Sequence, residues 1–360
     1  MSICRHIFFG TGVACILTSG TLHAQNKTAT WLTTNFQARS FTSPQVTMVY
    51  RLYVPVGYNP AQKYPIVVAL HGIGERGNNN VNQLTAEELA QPWVRDSVQA
   101  RHPHFVMIPQ CPSNLYWWPS NTWDGTRSNA NIGVIQILDS LKREFSLDTT
   151  RFYVAGLSLG GFGAIELMKW NPTVFAAAVP AAGGGDTAAS AIAQLVRTPV
   201  WFFHSANDPT VNVDRGSRLL VSKMEANRGK PFVRFVSDTG MTNPTAISVD
   251  SLRKAVYVDN ANFLYSEVRN APGTGNALHQ AGWFAAWRHP MLTDWVFSKQ
   301  KIGGVAVSLT NATFARAHAP AKARLKLRGN SLLVEKSVPG LPPSLFTLDG
   351  RPFDPVTARP

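Results

Sequence analysis

A short glycine-rich motif in the middle of the chain constrains its fold more than any other feature. Gly156-Leu157-Ser158-Leu159-Gly160 follows an apolar, strand-like run (residues 151–155) and precedes a helix-like run (residues 162–170). A G-x-S-x-G pentapeptide between a strand and a helix predicts a turn so tight that its flanking positions must be glycine. The turn presents the Ser158 hydroxyl at the carboxyl edge of a sheet, and the N–H of Leu159 lies at the start of the helix. The motif therefore predicts a nucleophilic serine beside a donor for an oxyanion.

Apolar runs elsewhere in the chain alternate with segments of helical periodicity. The alternation predicts an α/β fold with a mostly parallel sheet and helices on both faces. Apolar residues recur at helical spacing over residues 132–141 and predict an amphipathic crossover helix. Residues 47–55 alternate in polarity and predict an edge strand after a polar lead-in over residues 25–40. The predicted buried strands cover residues 66–70, 105–109, 174–180, 199–204 and 263–268.

The two ends of the chain differ from its middle. A basic pair, Arg5 and His6, precedes a short apolar segment and Leu22-His23-Ala24, which predicts a secretory signal peptide over residues 1–24. The apolar segment is too short to span a bilayer. We expect residues 25–300 to form the catalytic domain and residues 301–360 a linker and a tail, with sorting or anchoring as one role for the tail. The expected location is secreted or periplasmic, including attachment to the cell surface.

Composition narrows the classes of function. Cleavage of the signal peptide leaves Cys111 as the one cysteine, which excludes an internal disulfide and disfavours a structural zinc site. The net charge of +13 is compatible with a solvated basic face or with acidic polysaccharides. A nucleic-acid partner is not expected, because the sequence carries no recognisable reading module.

A serine nucleophile needs a carboxylate that orients its base, and Asp208 is the preferred candidate. It follows the buried strand predicted at residues 199–204, in the string His204-Ser205-Ala206-Asn207-Asp208-Pro209. The chain order serine, acid, histidine favours it. An Asp-Pro turn without a catalytic role is the alternative, and Asp214 and Asp186 are rival acids.

The base must be a histidine downstream of the acid, and His279 is the preferred candidate. It follows the last predicted strand through a loop with glycine and proline, which would let the imidazole reach the serine. His289 precedes Pro290 at the start of a predicted terminal helix and is the rival. His102 and His104 precede the serine and are out of chain order.

The second oxyanion donor is expected in the loop that follows the third strand. His71-Gly72-Ile73-Gly74 lies there, so we assign the oxyanion hole to the N–H groups of Ile73 or its neighbours and of Leu159, with His71 in a structural role. An aromatic loop beyond the strand at 105–109 could bind sugar rings or an aryl acid, or could instead pack over the core. Its candidate substrate-binding residues are Trp117, Trp118 and Trp123.

Three strings together resemble one branch of the secreted esterases with the α/β-hydrolase fold. They are Leu70-His71-Gly72-Ile73-Gly74-Glu75-Arg76-Gly77, Pro109-Gln110-Cys111-Pro112 and residues 148–161. The branch includes feruloyl esterases, acetyl xylan esterases, polyhydroxybutyrate-depolymerase-like enzymes and predicted prolyl-oligopeptidase-like peptidases. The resemblance covers roughly residues 45–300.

The resemblance implies Ser158 as nucleophile, Asp208 as acid and His279 as base, with Trp123 shaping the pocket. The chain departs from the branch at Leu278-His279-Gln280, where relatives often carry Gly-His-Asp or Gly-His-Asn. The expected function is a serine esterase for carbohydrate-linked acetyl or feruloyl esters, with a plant-type polysaccharide ester or a small ester as substrate and with no metal or organic cofactor. A peptidase on the same fold and a non-catalytic polysaccharide-binding protein are the alternatives.

Overall fold

The computed structural model describes residues 26–119, 126–237, 249–303, 305–308, 323–328, 331–336 and 344–346. In these residues a nine-stranded sheet carries the fold. Its strands are β1 (Phe36–Thr42), β2 (Thr47–Tyr53), β3 (Tyr64–Leu70), β4 (Phe105–Pro109), β5 (Leu147–Leu157), β6 (Phe175–Ala181), β7 (Val200–Ser205), β8 (Val233–Ser237) and β9 (Phe263–Val268).

Helices connect most of these strands. They are α1 (Ala29–Asn35), α2 (Asn82–Thr85), α3 (Gln91–Val94), α4 (Asp96–Arg101), α5 (Asn129–Glu144), α6 (Leu159–Trp170), α7 (Ala189–Leu195), α8 (Ser217–Arg228), α9 (Val249–Arg253), α10 (Asn276–Trp287) and α11 (Leu292–Phe297). A 3₁₀ turn covers Ile73–Glu75, and a π-helical turn covers Lys254–Val258.

The strand order is β1-β2-β4-β3-β5-β6-β7-β9-β8. β1 and β2 pair antiparallel, β2 pairs antiparallel with β4, and every later neighbour in the order is parallel. This arrangement confirms the predicted mostly parallel sheet. Parallel strands end at the same edge, so the loops after β3, β5, β7 and β9 open on one side of the molecule.

The long apolar runs of the sequence are explained by a core on each face of the sheet. Every residue of β3 is buried, with Val67 and Ala69 in one hydrophobic cluster and Ile66, Val68 and Leu70 in the other. Alternate side chains of a strand point to opposite faces, so a strand covered on both sides needs no polar residue.

Both edges of the sheet differ from the predictions. Residues 25–40, which were predicted to be a polar lead-in, hold α1 and most of β1. The edge strand is therefore β1, and β2 is an inner strand. Only Phe36 of β1 is buried, and its exposed polar residues hide the strand from a search for apolar runs. At the other edge, β8 lies outside β9, beyond the last strand that was predicted.

The segments at the two chain ends are described only in part. The predicted signal peptide, residues 1–24, lies outside the described residues. Beyond residue 298, β10 (Lys299–Ile302) pairs with β11 (Val305–Ser308), and β12 (Ala323–Arg328), β13 (Ser331–Lys336) and β14 (Ser344–Phe346) form an antiparallel sheet. The boundary at residue 300 stays a prediction. In the described part of the chain, no helix is both long and apolar enough to cross a membrane.

The predicted turn at Ser158 is confirmed, and the backbone contacts around it require both glycines. Ser158 lies between β5 and α6 with φ 49° and ψ −117°. A Cβ on Gly156 would lie 2.0 Å from the carbonyl oxygen of Gly160, and a Cβ on Gly160 would lie 2.0 Å from the carbonyl oxygen of Leu70. No side chain fits at either position without moving the backbone.

We expect Gly156→Ala to lower the free energy of unfolding by about 3 kcal/mol or more, because its methyl group overlaps backbone that cannot yield locally. Gly74→Ala is the matched control, since a Cβ there meets no atom within 4 Å. The control should stay within about 0.5 kcal/mol of the wild type in urea unfolding. Equal stability of the two variants would contradict the close contact at the elbow.

Candidate active site

The structure brings Ser158, His279 and Asp208 into one hydrogen-bonded chain. The distance from Ser158 Oγ to His279 Nε2 is 2.9 Å, and that from His279 Nδ1 to Asp208 Oδ2 is 2.6 Å. His279 and Asp208 are 4% and 6% exposed, so water competes little for these bonds. A hydroxyl, an imidazole and a carboxylate in this order form a relay that can take up and return one proton.

Each member of the relay lies in the segment after a different strand. Ser158 follows β5, Asp208 follows β7 by three residues, and His279 follows β9. The prediction of a loop around His279 is wrong, because the residue lies in the first turn of α10. Residues 276–287 include four alanines, and His279 and Trp283 share one helix face, with ring centroids 4.7 Å apart. The helix therefore holds the imidazole that a loop was expected to carry.

The carboxylate of Asp208 is surrounded by donors. Its Oδ1 accepts from the N–H groups of Thr210 (2.8 Å) and Val211 (2.9 Å). Its Oδ2 lies 3.2 Å from His204 Nε2, in addition to the contact with His279. Burial alone would raise the pKa of Asp208, but the hydrogen bonds from His204, His279 and Val211 outweigh burial and hold that pKa below its usual value. Asp208 is therefore ionised at neutral pH.

The two segments that were predicted to hold the oxyanion donors both lie next to Ser158. Leu159 is the first residue of α6, where a backbone N–H has no acceptor within the helix. On the other side, a Cβ on Gly72 would lie 3.8 Å from Ser158 Cβ. Ile73 follows Gly72 at the start of the 3₁₀ turn, and its side chain is 54% exposed. The structure thus brings backbone from both predicted segments next to Ser158.

His71 has the contacts of a structural residue, as the sequence suggested. Its Nδ1 lies 2.6 Å from the carbonyl oxygen of Gly72, and its Nε2 accepts the N–H of Cys111 at 2.9 Å. Because a carbonyl only accepts, the proton sits on Nδ1. Burial lowers the pKa of His71 to about 4, so the ring is neutral. The ring ties the loop after β3 to the loop after β4.

Of the three candidate tryptophans, one is buried, one is half-buried and one lies outside the described residues. Trp117 is 0% exposed, so the prediction that it binds substrate is wrong. Its Nε1 donates to the carbonyl oxygen of His71 at 3.1 Å, and its Cβ lies where a side chain on Gly163 would be. Trp118 is half-buried and stacks on Phe162, with ring centroids 4.4 Å apart. Trp123 lies outside the described residues.

Phe162, on which Trp118 stacks, lies one helical turn after Ser158. The N–H of Phe162 donates to the carbonyl oxygen of Ser158 at 3.1 Å, in the first turn of α6. The neighbouring Tyr116 carries the Arg76 guanidinium over its ring at 4.4 Å. The aromatic loop is therefore held against both the helix and the loop after β3.

The rival carboxylates have other partners. Asp214 pairs with Arg218 at 2.9 Å, and its side chain is 70% exposed. Asp186 lies 3.4 Å from the Lys169 ammonium. Of the three candidate acids, Asp208 is the one that the structure places against His279.

The rival histidines lie in hydrophobic surroundings. His289 packs against Trp201, with ring centroids 4.7 Å apart, and burial lowers its pKa to about 4. His102 and His104 both pack on Phe297, at 4.8 Å and 4.5 Å.

Two residues of the site were missed from the sequence. Glu87, with φ 55°, accepts from Gln280 Nε2 at 3.1 Å and from Trp283 Nε1 at 3.0 Å, and so anchors α10 beside His279. Nothing in the sequence around Glu87 indicates this contact. His204 lies four residues before Asp208 at the end of a predicted strand, which was a usable signal.

Metal ligands are not grouped in the described part of the chain. There, no cluster of three or more His, Cys, Asp or Glu side chains could hold a metal ion. The donors of the site are instead backbone N–H groups and the relay itself.

Comparisons with known proteins show which family the chain resembles. The model of the Esterase family matches residues 42–223. A bifunctional acetylxylan esterase/xylanase of Neocallimastix patriciarum is 28% identical over 161 residues, which are 45% of this chain and 22% of that protein. Poly(3-hydroxyalkanoate) depolymerase C of Paucimonas lemoignei is 34% identical over 137 residues, which are 37% of this chain and 30% of that protein.

Among solved structures, the crystal structure of a thermostable esterase superimposes with a TM-score of 0.60 and 31% identity. The match covers 75% of this chain and 64% of that chain. The chain thus spans less than a third of the two curated relatives above and about two thirds of this esterase. The family match includes Ser158 and Asp208, whereas His279 lies beyond it. These matches confirm the resemblance to the esterase branch, and because the family model covers just over half of the 360 residues, the chain belongs to the Esterase family and has the α/β-hydrolase fold.

Proposed function

We propose that the protein is a serine esterase that hydrolyses carbohydrate-linked acetyl or feruloyl esters through an acyl-serine intermediate. One observation carries the proposal: the unbroken path from Ser158 Oγ through His279 to Asp208, with contacts of 2.9 Å and 2.6 Å. Membership of the Esterase family supports an ester as the substrate.

In the first half of the reaction, His279 Nε2 takes the hydroxyl proton while Ser158 Oγ attacks the ester carbonyl carbon. The ionised Asp208 accepts from His279 Nδ1 and stabilises the imidazolium that forms. The tetrahedral intermediate collapses, the carbon–oxygen bond to the alcohol breaks, and His279 returns the proton to the leaving alkoxide. Ser158 then carries the acyl group.

In the second half, water replaces the alcohol. His279 removes a proton from water, hydroxide adds to the acyl carbon, and the second tetrahedral intermediate expels Ser158 Oγ, which regains its proton. The negative oxygen of both intermediates would be stabilised by the N–H groups of Leu159 and of Ile73 or a neighbour.

The substrate class is inferred from the aromatic pair and from the relatives. Trp118 stacked on Phe162 offers a flat apolar surface one helical turn after Ser158, which suits a sugar ring or an aryl acid. One relative is named for acetylxylan, a carbohydrate ester, and the other for a polymeric hydroxyalkanoate ester. The predicted signal peptide fits a secreted or periplasmic enzyme that meets such polymers, including one retained at the cell surface by its tail.

We expect Ser158→Ala to lower kcat/KM on p-nitrophenyl acetate by at least about 10³-fold, because the substitution removes the nucleophile and leaves the fold intact. The matched control is Ser205→Ala, at the end of β7, whose buried hydroxyl has no hydrogen-bond partner among the residues that the structure describes. The control should keep its kcat/KM within about twofold of the wild type.

Binding and activity assays of the wild-type protein on other ligands and substrates separate the alternatives. Wild-type protein that binds xylan but turns over no ester would support a non-catalytic polysaccharide-binding protein. Wild-type protein that cleaves peptides faster than methyl ferulate or acetylated xylan would support a peptidase. Either result would contradict the proposed function.

A second prediction concerns the aromatic surface. Trp118→Ala should raise KM about 5- to 10-fold for methyl ferulate or for acetylated xylan, because either ring would lose its stacking partner. Methyl acetate, which has no ring, should be hydrolysed as by the wild type. The readout is acid release at constant pH for all three esters.

Trp170→Ala is the control, since Trp170 lies at the far end of α6 and is 36% exposed. It should change none of the three KM values. An equal loss on all three esters in Trp118→Ala would show that Trp118 supports the loop and does not contact substrate.

A further inference from the structure

A second histidine, His204, contacts the carboxylate of the relay. Its Nε2 lies 3.2 Å from Asp208 Oδ2, the same oxygen that faces His279 Nδ1 at 2.6 Å. The other oxygen, Oδ1, is already held by the N–H groups of Thr210 and Val211. His204 is therefore the fourth group around this carboxylate, and the mechanism above does not use it.

The surroundings of His204 fix where its proton lies. Nε2 faces two acceptors, Asp208 Oδ2 and the carbonyl oxygen of Val211, the latter at 2.9 Å. A carbonyl and an ionised carboxylate cannot donate, so Nε2 must carry a proton. Nδ1 lies 2.7 Å from Ser217 Oγ, a hydroxyl that is able to donate to it. His204 thus presents the N–H of Nε2 to two acceptors, the carbonyl oxygen of Val211 as the nearer one and Asp208 Oδ2 at 3.2 Å.

The ring of His204 is also held rigidly. The residue is 0% exposed and is the fifth of the six residues of β7. A Cβ on Gly216 would lie 3.3 Å from His204 Cε1, so the start of α8 closes directly over the ring. Asp208 itself lies on the connection between β7 and α8, where the backbone lacks the support of a sheet or a helix.

We propose that His204 is a positioning residue: its Nε2–H donates to Asp208 Oδ2 and fixes the carboxylate in the orientation that His279 needs. This proposal rests on the proposed esterase function. A carboxylate that rotated out of place would misorient the imidazole without changing the surface that binds substrate. Loss of the donor should therefore lower kcat and leave KM nearly unchanged.

Two amide substitutions separate the two nitrogens of the ring. In His204→Gln the amide nitrogen reaches the position of Nε2, so the donor to Asp208 is kept and the acceptor for Ser217 is lost. Ser217 Oγ can then donate to the carbonyl oxygen of Gly183, 3.3 Å away. In His204→Asn the amide reaches only the position of Nδ1, so the contact with Ser217 is kept and the donor to Asp208 and to the carbonyl oxygen of Val211 is lost.

We expect His204→Asn to lower kcat about 10- to 100-fold on p-nitrophenyl acetate, with KM within about twofold of the wild type. His204→Gln should keep kcat within about threefold of the wild type. A purely structural role for the ring predicts that activity falls only as far as the amount of folded protein falls, with kcat per folded molecule unchanged in both variants. Comparable losses, or a larger loss in His204→Gln, would overturn the proposal.

Nitrogen-15 NMR of the wild-type protein tests the proton position without any substitution in the measured sample. The resonances of His204 are assigned by their disappearance from the spectrum of His204→Gln. A directly bonded proton on Nε2 is expected, and a proton on Nδ1 alone would overturn the proposal. Wild-type turnover that requires Ser158 but is unaffected in both variants would overturn this proposal alone. Absence of wild-type turnover would overturn the esterase function as well.

Discussion

The candidate site depends on one backbone contact, the approach of α6 to β5 and β3 at the two glycines of the elbow. With hydrogen in place of side chains at Gly156 and Gly160, the helix starts within van der Waals distance of the strand carbonyls. That approach holds Ser158 at φ 49°, a conformation that costs a residue with a side chain about 1–3 kcal/mol. This backbone conformation directs the hydroxyl out of the sheet and leaves the first N–H of α6 beside it. The close packing around the turn offsets this cost.

The parallel sheet then brings the remaining groups to the same edge. The segments after β3, β5, β7 and β9 all leave from the carboxyl end, and they supply Gly72, Ser158, Asp208 and, in α10, His279. His279 and Asp208 are each fixed by neighbouring groups. Glu87 and Trp283 steady the helix that carries His279, and backbone N–H groups hold the carboxylate of Asp208. Preorganisation of this kind lets a relay act without rearranging during the reaction.

Much of this arrangement was predictable from the sequence, and the failures have identifiable causes. The buried strands and the elbow were found because apolar runs and a G-x-S-x-G motif are local signals, and chain order then selected Asp208 and His279. β1 was missed because its stability comes from pairing with β2 and not from its own apolar residues. Trp117 was assigned to the surface because a loop position does not reveal burial, and the space that Gly163 leaves for the indole exists only in the folded chain. Glu87 approaches α10 from a distant part of the sequence, so no local pattern could reveal it.

We infer that Ser158 attacks an acyl carbon whose oxygen accepts hydrogen bonds from backbone N–H groups of two segments next to Ser158. The most direct measurement is a crystal structure of the protein after reaction with diethyl p-nitrophenyl phosphate, which phosphorylates nucleophilic serines and mimics the tetrahedral intermediate. We expect a phosphorus–oxygen bond to Ser158, with a phosphoryl oxygen accepting from the N–H of Leu159 and from that of Ile73 or an adjacent residue. An unmodified Ser158, or an adduct on another residue, would contradict it.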